Sequence, residues 1–111
     1  MFVGIMQFEL IMRQSRSLKD KRRVVRSVRD RLHREHLVSV AETAALDHQQ
    51  LAVMGLSMVA NSSSYIHRVF DTILEKLRRL RDAELGETTR SVFAGDTPID
   101  DATDDQAEAS S

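Results

Sequence analysis

The residue types best suited to chemistry in this chain are basic, and they are concentrated in one segment. Residues 13–36 contain ten Lys and Arg against three Asp and Glu, a local charge of +7. Such side chains displace the counterions condensed along a nucleic-acid backbone. We therefore expect contact with RNA through eight of them: Arg13, Arg16, Lys19, Lys21, Arg22, Arg23, Arg26 and Arg29. A solvated helix face and contact with an acidic protein are the alternatives.

Other reactive residue types form weaker patterns. His33 and His36 are three residues apart, a spacing that can place two imidazoles on one metal ion, but the neighbouring arginines disfavour a cation. The chain has no cysteine, which excludes thiolate catalysis, disulfides and cysteine-bound metal centres. Glu9, Glu42 and His48 would form an acid–base cluster if they met on an open sheet face. We expect no enzymatic activity, metal or cofactor, and we infer no small-molecule substrate.

Charge is distributed unevenly along the chain. Residues 1–94 hold sixteen basic and eleven acidic residues, a charge of +5, whereas residues 95–111 hold six acids and no base. The second segment is too poor in apolar residues to order itself by burial. We predict one folded domain over 1–94 and a disordered acidic tail over 95–111. A tethered tail of this charge is also a candidate competitor for the basic segment.

The apolar segments indicate where the protein resides. No basic residue precedes the first apolar run, and no stretch approaches the ~20 apolar residues that span a bilayer. We expect no secretory signal, no membrane contact and a cytoplasmic location.

Hydrophobic periodicity predicts the elements that position these residues. Residues 2–12 alternate as a strand, and Ser17 to Asp20 fits a capping box that begins a helix ending near His36. Further strands are predicted over 38–44, 51–60 and 85–93, with a second helix over 64–82. This βαββαβ order predicts an α+β, ferredoxin-like fold: a four-stranded antiparallel sheet, two helices on one face, and strands one and three in the centre.

The first strand divides its side chains between the two faces of the sheet. One parity is apolar and should face the core: Phe2, Met6, Phe8, Leu10 and Met12. The other parity is mixed and should form the uncovered face: Val3, Ile5, Gln7, Glu9 and Ile11. A partly apolar face of this kind is a candidate homodimer interface. It lacks the aromatic run on which RNA-recognition motifs stack bases, so we expect any RNA contact to be electrostatic.

Several runs carry a family resemblance. Ser15-Arg16-Ser17-Leu18-Lys19-Asp20-Lys21-Arg22-Arg23-Val24-Val25 resembles the signature of the YlxP-like family, and the segments 3–5, 8–10 and 38–42 resemble its first two strands. This is a bacterial domain of unknown function, and the likeness covers about residues 1–90. The resemblance implies a ferredoxin-like fold and no established activity. Members are often encoded beside genes for translation initiation and ribosome maturation, which implies an RNA or ribosomal setting.

Together these patterns predict a non-enzymatic accessory protein that contacts RNA, or the ribosome, through the first helix and the loop before it. The alternative is a small dimeric protein-interaction module whose partner docks on the open sheet face or on the arginine-rich helix. The salt dependence of binding distinguishes these two hypotheses. Affinity for phosphates falls steeply with ionic strength, whereas affinity through an apolar surface does not.

Overall fold

The computed structural model describes residues 1–96, so the predicted tail lies almost entirely outside the described residues. The elements are β1 (Phe2–Ile11), α1 (Leu18–Glu35), β2 (Ser39–Ala44), β3 (Leu51–Ala60), α2 (Ser63–Arg78) and β4 (Glu84–Ala94). Their order is the βαββαβ order predicted from the sequence. None of the helices in the described part of the chain is long and apolar enough to cross a membrane.

The four strands form one antiparallel sheet in the order β2-β3-β1-β4, which confirms the central position of β1 and β3. Ile11 at the end of β1 is opposite both Leu51 and Glu84, the first residues of β3 and β4. The last strand is longer than the predicted 85–93. Its weak β propensity is overridden because it pairs along nearly the whole of β1.

Both helices pack on one face of this sheet, as predicted. α1 lies against β2 and β3, and α2 lies against β1 and β4. The core-facing parity of β1 is buried at Met6, Phe8 and Leu10, between the apolar stripes of the two helices. Gly4 shares that parity where α2 comes closest. A Cβ there would overlap Ile66 Cγ2 and lie 2.8 Å from Phe70 Cζ, so the missing side chain allows the helix to sit close to the strand.

The ends of the helices follow local hydrogen bonds. Ser17 Oγ accepts from Asp20 N at 3.0 Å, as the capping box requires, but the Asp20 carboxylate accepts from Arg16 N, one residue earlier than the motif predicts. α2 ends at Arg78 rather than residue 82. The chain needs residues 79–83 to turn back so that β4 can pair with β1.

Three loops meet at one end of the molecule, because β1 ends where β3 and β4 begin. They are the β1–α1 loop (12–17), the β2–β3 loop (45–50) and the α2–β4 loop (79–83). We call this the loop end. It also holds the N-terminus of α1 and the C-terminus of α2, so the topology brings together basic residues from both helices.

Candidate nucleic-acid interface

Six of the eight basic residues predicted to contact RNA are exposed. They are Arg13, Arg16, Lys19, Arg22, Arg23 and Arg26. They extend from the β1–α1 loop along the outer side of the first three turns of α1, over a rise of about 10 Å between Lys19 and Arg26 at ~1.5 Å per residue. Arg29 is half-buried and pairs with Asp30 at 3.2 Å.

Within the described residues, most of this charge has no acidic partner. Among residues 1–96, Arg16, Lys19, Arg22 and Arg26 make no ion pair. Asp20 is the one acid in the first turn of α1, and it lies 3.8 Å from Arg23. Cations at a helix N-terminus oppose the helix dipole, each at a cost of about 0.3–1 kcal/mol, and they repel one another. The same arrangement gives this surface a positive potential that attracts anions.

Lys21 contradicts the prediction, because it is 0 % exposed and cannot contact RNA. Its Nζ donates to three backbone carbonyls, those of Ala45 at 2.8 Å, Leu46 at 3.2 Å and Leu51 at 3.1 Å. The Glu42 carboxylate lies 2.7 Å away and supplies the counter-charge. Lys21 therefore ties α1 to the β2–β3 loop instead of belonging to the basic surface.

The geometry around this buried ammonium is nearly saturated. Nζ has four oxygens within 3.2 Å and only three protons, so its 2.7 Å contact with Glu42 Oε2 is chiefly ionic, and this oxygen has no other donor among residues 1–96. Ala45 adopts a φ of 58°, in the left-handed region that is unfavourable for a residue with a Cβ. Its carbonyl also accepts from His48 N at 3.0 Å. Lys21 thus stabilises a conformation of the β2–β3 loop that is unfavourable for Ala45.

The sequence does contain a signal for the burial of Lys21. It precedes Val25 by four residues and Val28 by seven, so it lies on the apolar stripe of α1 and not on its basic side. Glu42 likewise shares the parity of Val40, which is buried under the helices. Opposite charges on two inward-facing positions predict a buried pair.

Glu9, Glu42 and His48 do not form an acid–base cluster, because they lie in three different places. Glu42 faces the helices, whereas Glu9 is on the open face, where its Oε1 accepts from Glu87 N at 3.1 Å. His48 is in the β2–β3 loop, and its Nδ1 accepts from Gln50 N at 3.1 Å. These three side chains therefore do not meet on the open sheet face.

His33 and His36 also have separate roles. His33 Nε2 accepts from Val40 N at 3.1 Å and so joins α1 to β2. His36 Nε2 lies 2.8 Å from Lys76 Nζ, which also donates to Glu35 at 2.9 Å. Since an ammonium can only donate, this bond requires a neutral imidazole. Burial and the Lys76 charge accordingly lower the pKa of His36 below 6.5. Among residues 1–96, no three metal-ligating side chains are grouped for a metal ion.

Sequence reasoning missed basic residues that the fold adds at the loop end. The α2–β4 loop and the last turn of α2 place Arg78 and Arg81 around the same depression as Arg13. Arg78 pairs with Glu75 at 3.1 Å. The βαββαβ order could have revealed this grouping, because it requires α2 to end where α1 begins.

The loops at this end are held to each other. Met12 N donates to Gln50 O at 2.8 Å, and the Gln50 side-chain amide donates to the carbonyls of Arg13 and Ser15, each at 3.1 Å. The β1–α1 loop therefore has a defined position relative to the β2–β3 loop, and the backbone that carries the first two predicted RNA contacts is ordered by its neighbours.

The open face of the sheet differs in character from α1. The described strands place no Lys or Arg on it, and its acids are Glu9, Glu84 and Glu87. Its β1 residues are those predicted for the uncovered parity. At the end away from the loops, four neighbouring residues form what we call the apolar patch: Val3, Ile5, Val59 and Phe93. Three of them are well exposed, Val59 at 62 %, Ile5 at 47 % and Phe93 at 45 %.

The structure thus defines a ferredoxin-like α+β domain with a basic surface along its first helix, most of which has no acidic partner within residues 1–96. Residues 3–90 match the model of a family described as Protein of unknown function (DUF503). The chain belongs to this uncharacterised family, and the match includes all of α1 and the three loops of the loop end. No curated protein matches the chain.

Proposed function

We propose that this protein is a non-enzymatic RNA-binding accessory protein, that its RNA is ribosomal, and that its family is the YlxP-like one. The contact surface is the outer side of α1 with the β1–α1 loop. One observation carries the proposal: Arg16, Lys19, Arg22 and Arg26 are exposed and have no ion-pair partner within residues 1–96. A face that only served solvation would gain from more acids than Asp20, which is the one acid between Arg16 and Arg26.

The chemistry of this surface favours backbone contact over base recognition. Each phosphate neutralised releases counterions, so four to six contacts predict a log–log salt slope of roughly −3 to −5. The first turn of α1 adds free backbone N–H groups to the charge of the side chains. Backbone contact positions a protein on RNA but carries little sequence information. The expected binding is therefore strongly salt-dependent and weakly sequence-selective.

The test is a salt titration of RNA binding with charge-matched variants. Arg22→Ala combined with Arg26→Ala should weaken binding and reduce the salt slope by about 1.4–1.8, from ~0.7–0.9 per contact. The control combines Arg34→Ala with Arg68→Ala, which removes the same net charge from exposed positions toward the other end of the molecule. Equal effects of the two pairs would refute a specific surface on α1. Crosslinking in cells then asks whether ribosomal RNA is recovered, and whether the first pair abolishes recovery.

A second candidate function is supported by the apolar patch. We propose that two copies of the chain associate through their open faces. The described strands place no cation on these faces, and the apolar patch lies at the end of the face away from Glu9 and Glu84. Two copies can therefore meet through this patch while both α1 surfaces point outward. Such a dimer would hold two RNA-binding surfaces on opposite sides.

The dimer is tested by its mass in solution. Sedimentation equilibrium should show association that persists in high salt and is lost on Val59→Asp. Asn61→Asp is the control, because it adds the same charge at an exposed position just after β3. A monomer mass at every concentration would refute the dimer and leave the RNA proposal untouched.

A further inference from the structure

An open depression of about 430 Å³ lies at the loop end, between the end of β1 and the α2–β4 loop. Its apolar part is formed by Ile11, Leu80 and Leu85. Three arginines line it, Arg13, Arg78 and Arg81, and so do two acids, Asp82 and Glu84. An apolar surface with cations around it suits a ligand that has a flat ring and a negative charge.

The three guanidinium groups differ in whether a carboxylate pairs with them. Arg13 is 74 % exposed, and its Nε is held by Glu84 Oε1 at 3.1 Å. Arg78 is held by Glu75 at 3.1 Å in a similar way. A guanidinium that a carboxylate orients along one edge keeps its flat faces free to stack on a ring. Arg81 makes no ion pair within residues 1–96, so its charge is available to an anion.

We propose that this depression binds an unpaired nucleotide of single-stranded RNA. The base lies on the apolar surface against the guanidinium plane of Arg13, and the phosphate contacts Arg81. This inference rests on the proposed function and adds that the RNA bound at this site is single-stranded. A double helix keeps its bases stacked inside and presents phosphates and sugars, so it cannot use the apolar surface. The Glu84 carboxylate also repels a dense row of phosphates.

The depression is continuous with the basic surface of α1. A neighbouring depression shares Arg13 and Gln14 with it and reaches Arg16 at the N-terminus of α1. Gln14 is exposed at the junction, and its amide offers both a donor and an acceptor to the edge of a base. The neighbouring depression is lined by basic and neutral polar residues, so a strand whose backbone follows α1 can reach Arg13 through it.

The experiment compares two RNA probes by fluorescence anisotropy, a labelled 12-nucleotide oligouridine and a 16-base-pair RNA duplex. Arg13→Lys keeps the charge but removes the plane, so it should weaken oligouridine binding about fivefold or more at an unchanged salt slope, while duplex binding stays the same. Arg81→Ala should weaken oligouridine binding and also reduce its salt slope. Arg79→Ala is the matched control, because Arg79 is exposed nearby but outside the depression, and it should change affinity less than twofold.

The outcomes separate this inference from the function on which it rests. If Arg13→Lys binds oligouridine like the wild type, or weakens the duplex by the same factor, the depression does not recognise an unpaired base. If only the Arg22 and Arg26 variants lose affinity, the surface on α1 stands and the depression is excluded. If the wild type binds neither probe, both proposals fail. Unchanged far-ultraviolet circular dichroism shows that each variant is folded.

Discussion

Replacing Lys21 by methionine is the sharpest test of the structure. The substitution keeps most of the apolar stem of the side chain and removes its ammonium group, so the largely buried Glu42 loses its counter-charge and three loop carbonyls lose their donor. Breaking a buried ion pair from one side costs about 3–5 kcal/mol. A domain of this size has a total stability of roughly 5–14 kcal/mol. Lys21→Met should therefore remove a large fraction of the free energy of unfolding.

Urea denaturation followed by circular dichroism measures this loss. Lys19→Met is the matched control, because Lys19 is two residues away, exposed and without an ion pair in the described chain, and a change at such a site is within about 0.5 kcal/mol. In thermal unfolding, Lys21→Met should lower the Tm by roughly 12 °C or more, from about 4 °C per kcal/mol at the low end.

A double variant separates the ion pair from the general effect of a core change. Adding Glu42→Gln to Lys21→Met removes the stranded charge, so we expect the double variant to recover about half of the lost stability. The remaining loss of stability comes from the carbonyls of the β2–β3 loop, which no longer have Lys21 as their donor. If Lys21→Met is as stable as Lys19→Met, the buried lysine does not hold the loop, and the reasoning from its burial is refuted.

Two further changes probe the core and the pH response. Gly4→Ala inserts a methyl group against Ile66 and should cost about 1–3 kcal/mol by overpacking, read as a lower urea midpoint; unchanged stability would show that α2 moves freely away from β1. The folded state lowers the pKa of His36, so its unfolded imidazole binds a proton first as the pH falls. The contribution of His36 to stability is complete above pH 6.5 and declines below it. His36→Gln, which can still accept from Lys76, should therefore flatten the fall in the free energy of unfolding below pH 6.5. Parallel stability profiles of the variant and the wild type would contradict the lowered pKa of His36.

The architecture was accessible from the sequence, because burial periodicity is a local property. The alternation in β1 and the three-to-four spacing of apolar residues in α2 predicted both elements and their inward faces. The short loops and the right-handed crossover rule then left few ways to order the strands. The ends of α2 and β4 were less predictable, because pairing with β1 sets them.

The basic surface was only partly accessible from the sequence, because a count of charges does not say where each one points. Six of the eight cations do lie on the exposed surface, but Lys21 is turned inward by the same periodicity that buries Val25 and Val28. Its pairing with Glu42 and with the loop carbonyls depends on residues 21–30 positions away.

By itself, then, the sequence determined the order of the elements, the core-facing residues and the presence of a basic first helix. The tertiary structure decided which cations are free, where the acidic partners lie, and that arginines from α1's loop and from the end of α2 surround one depression. The physical reason is the sequence separation of the interacting residues. The periodicity of burial is set by residues a few positions apart, whereas ion pairs and surface shape form between segments that only folding brings into contact.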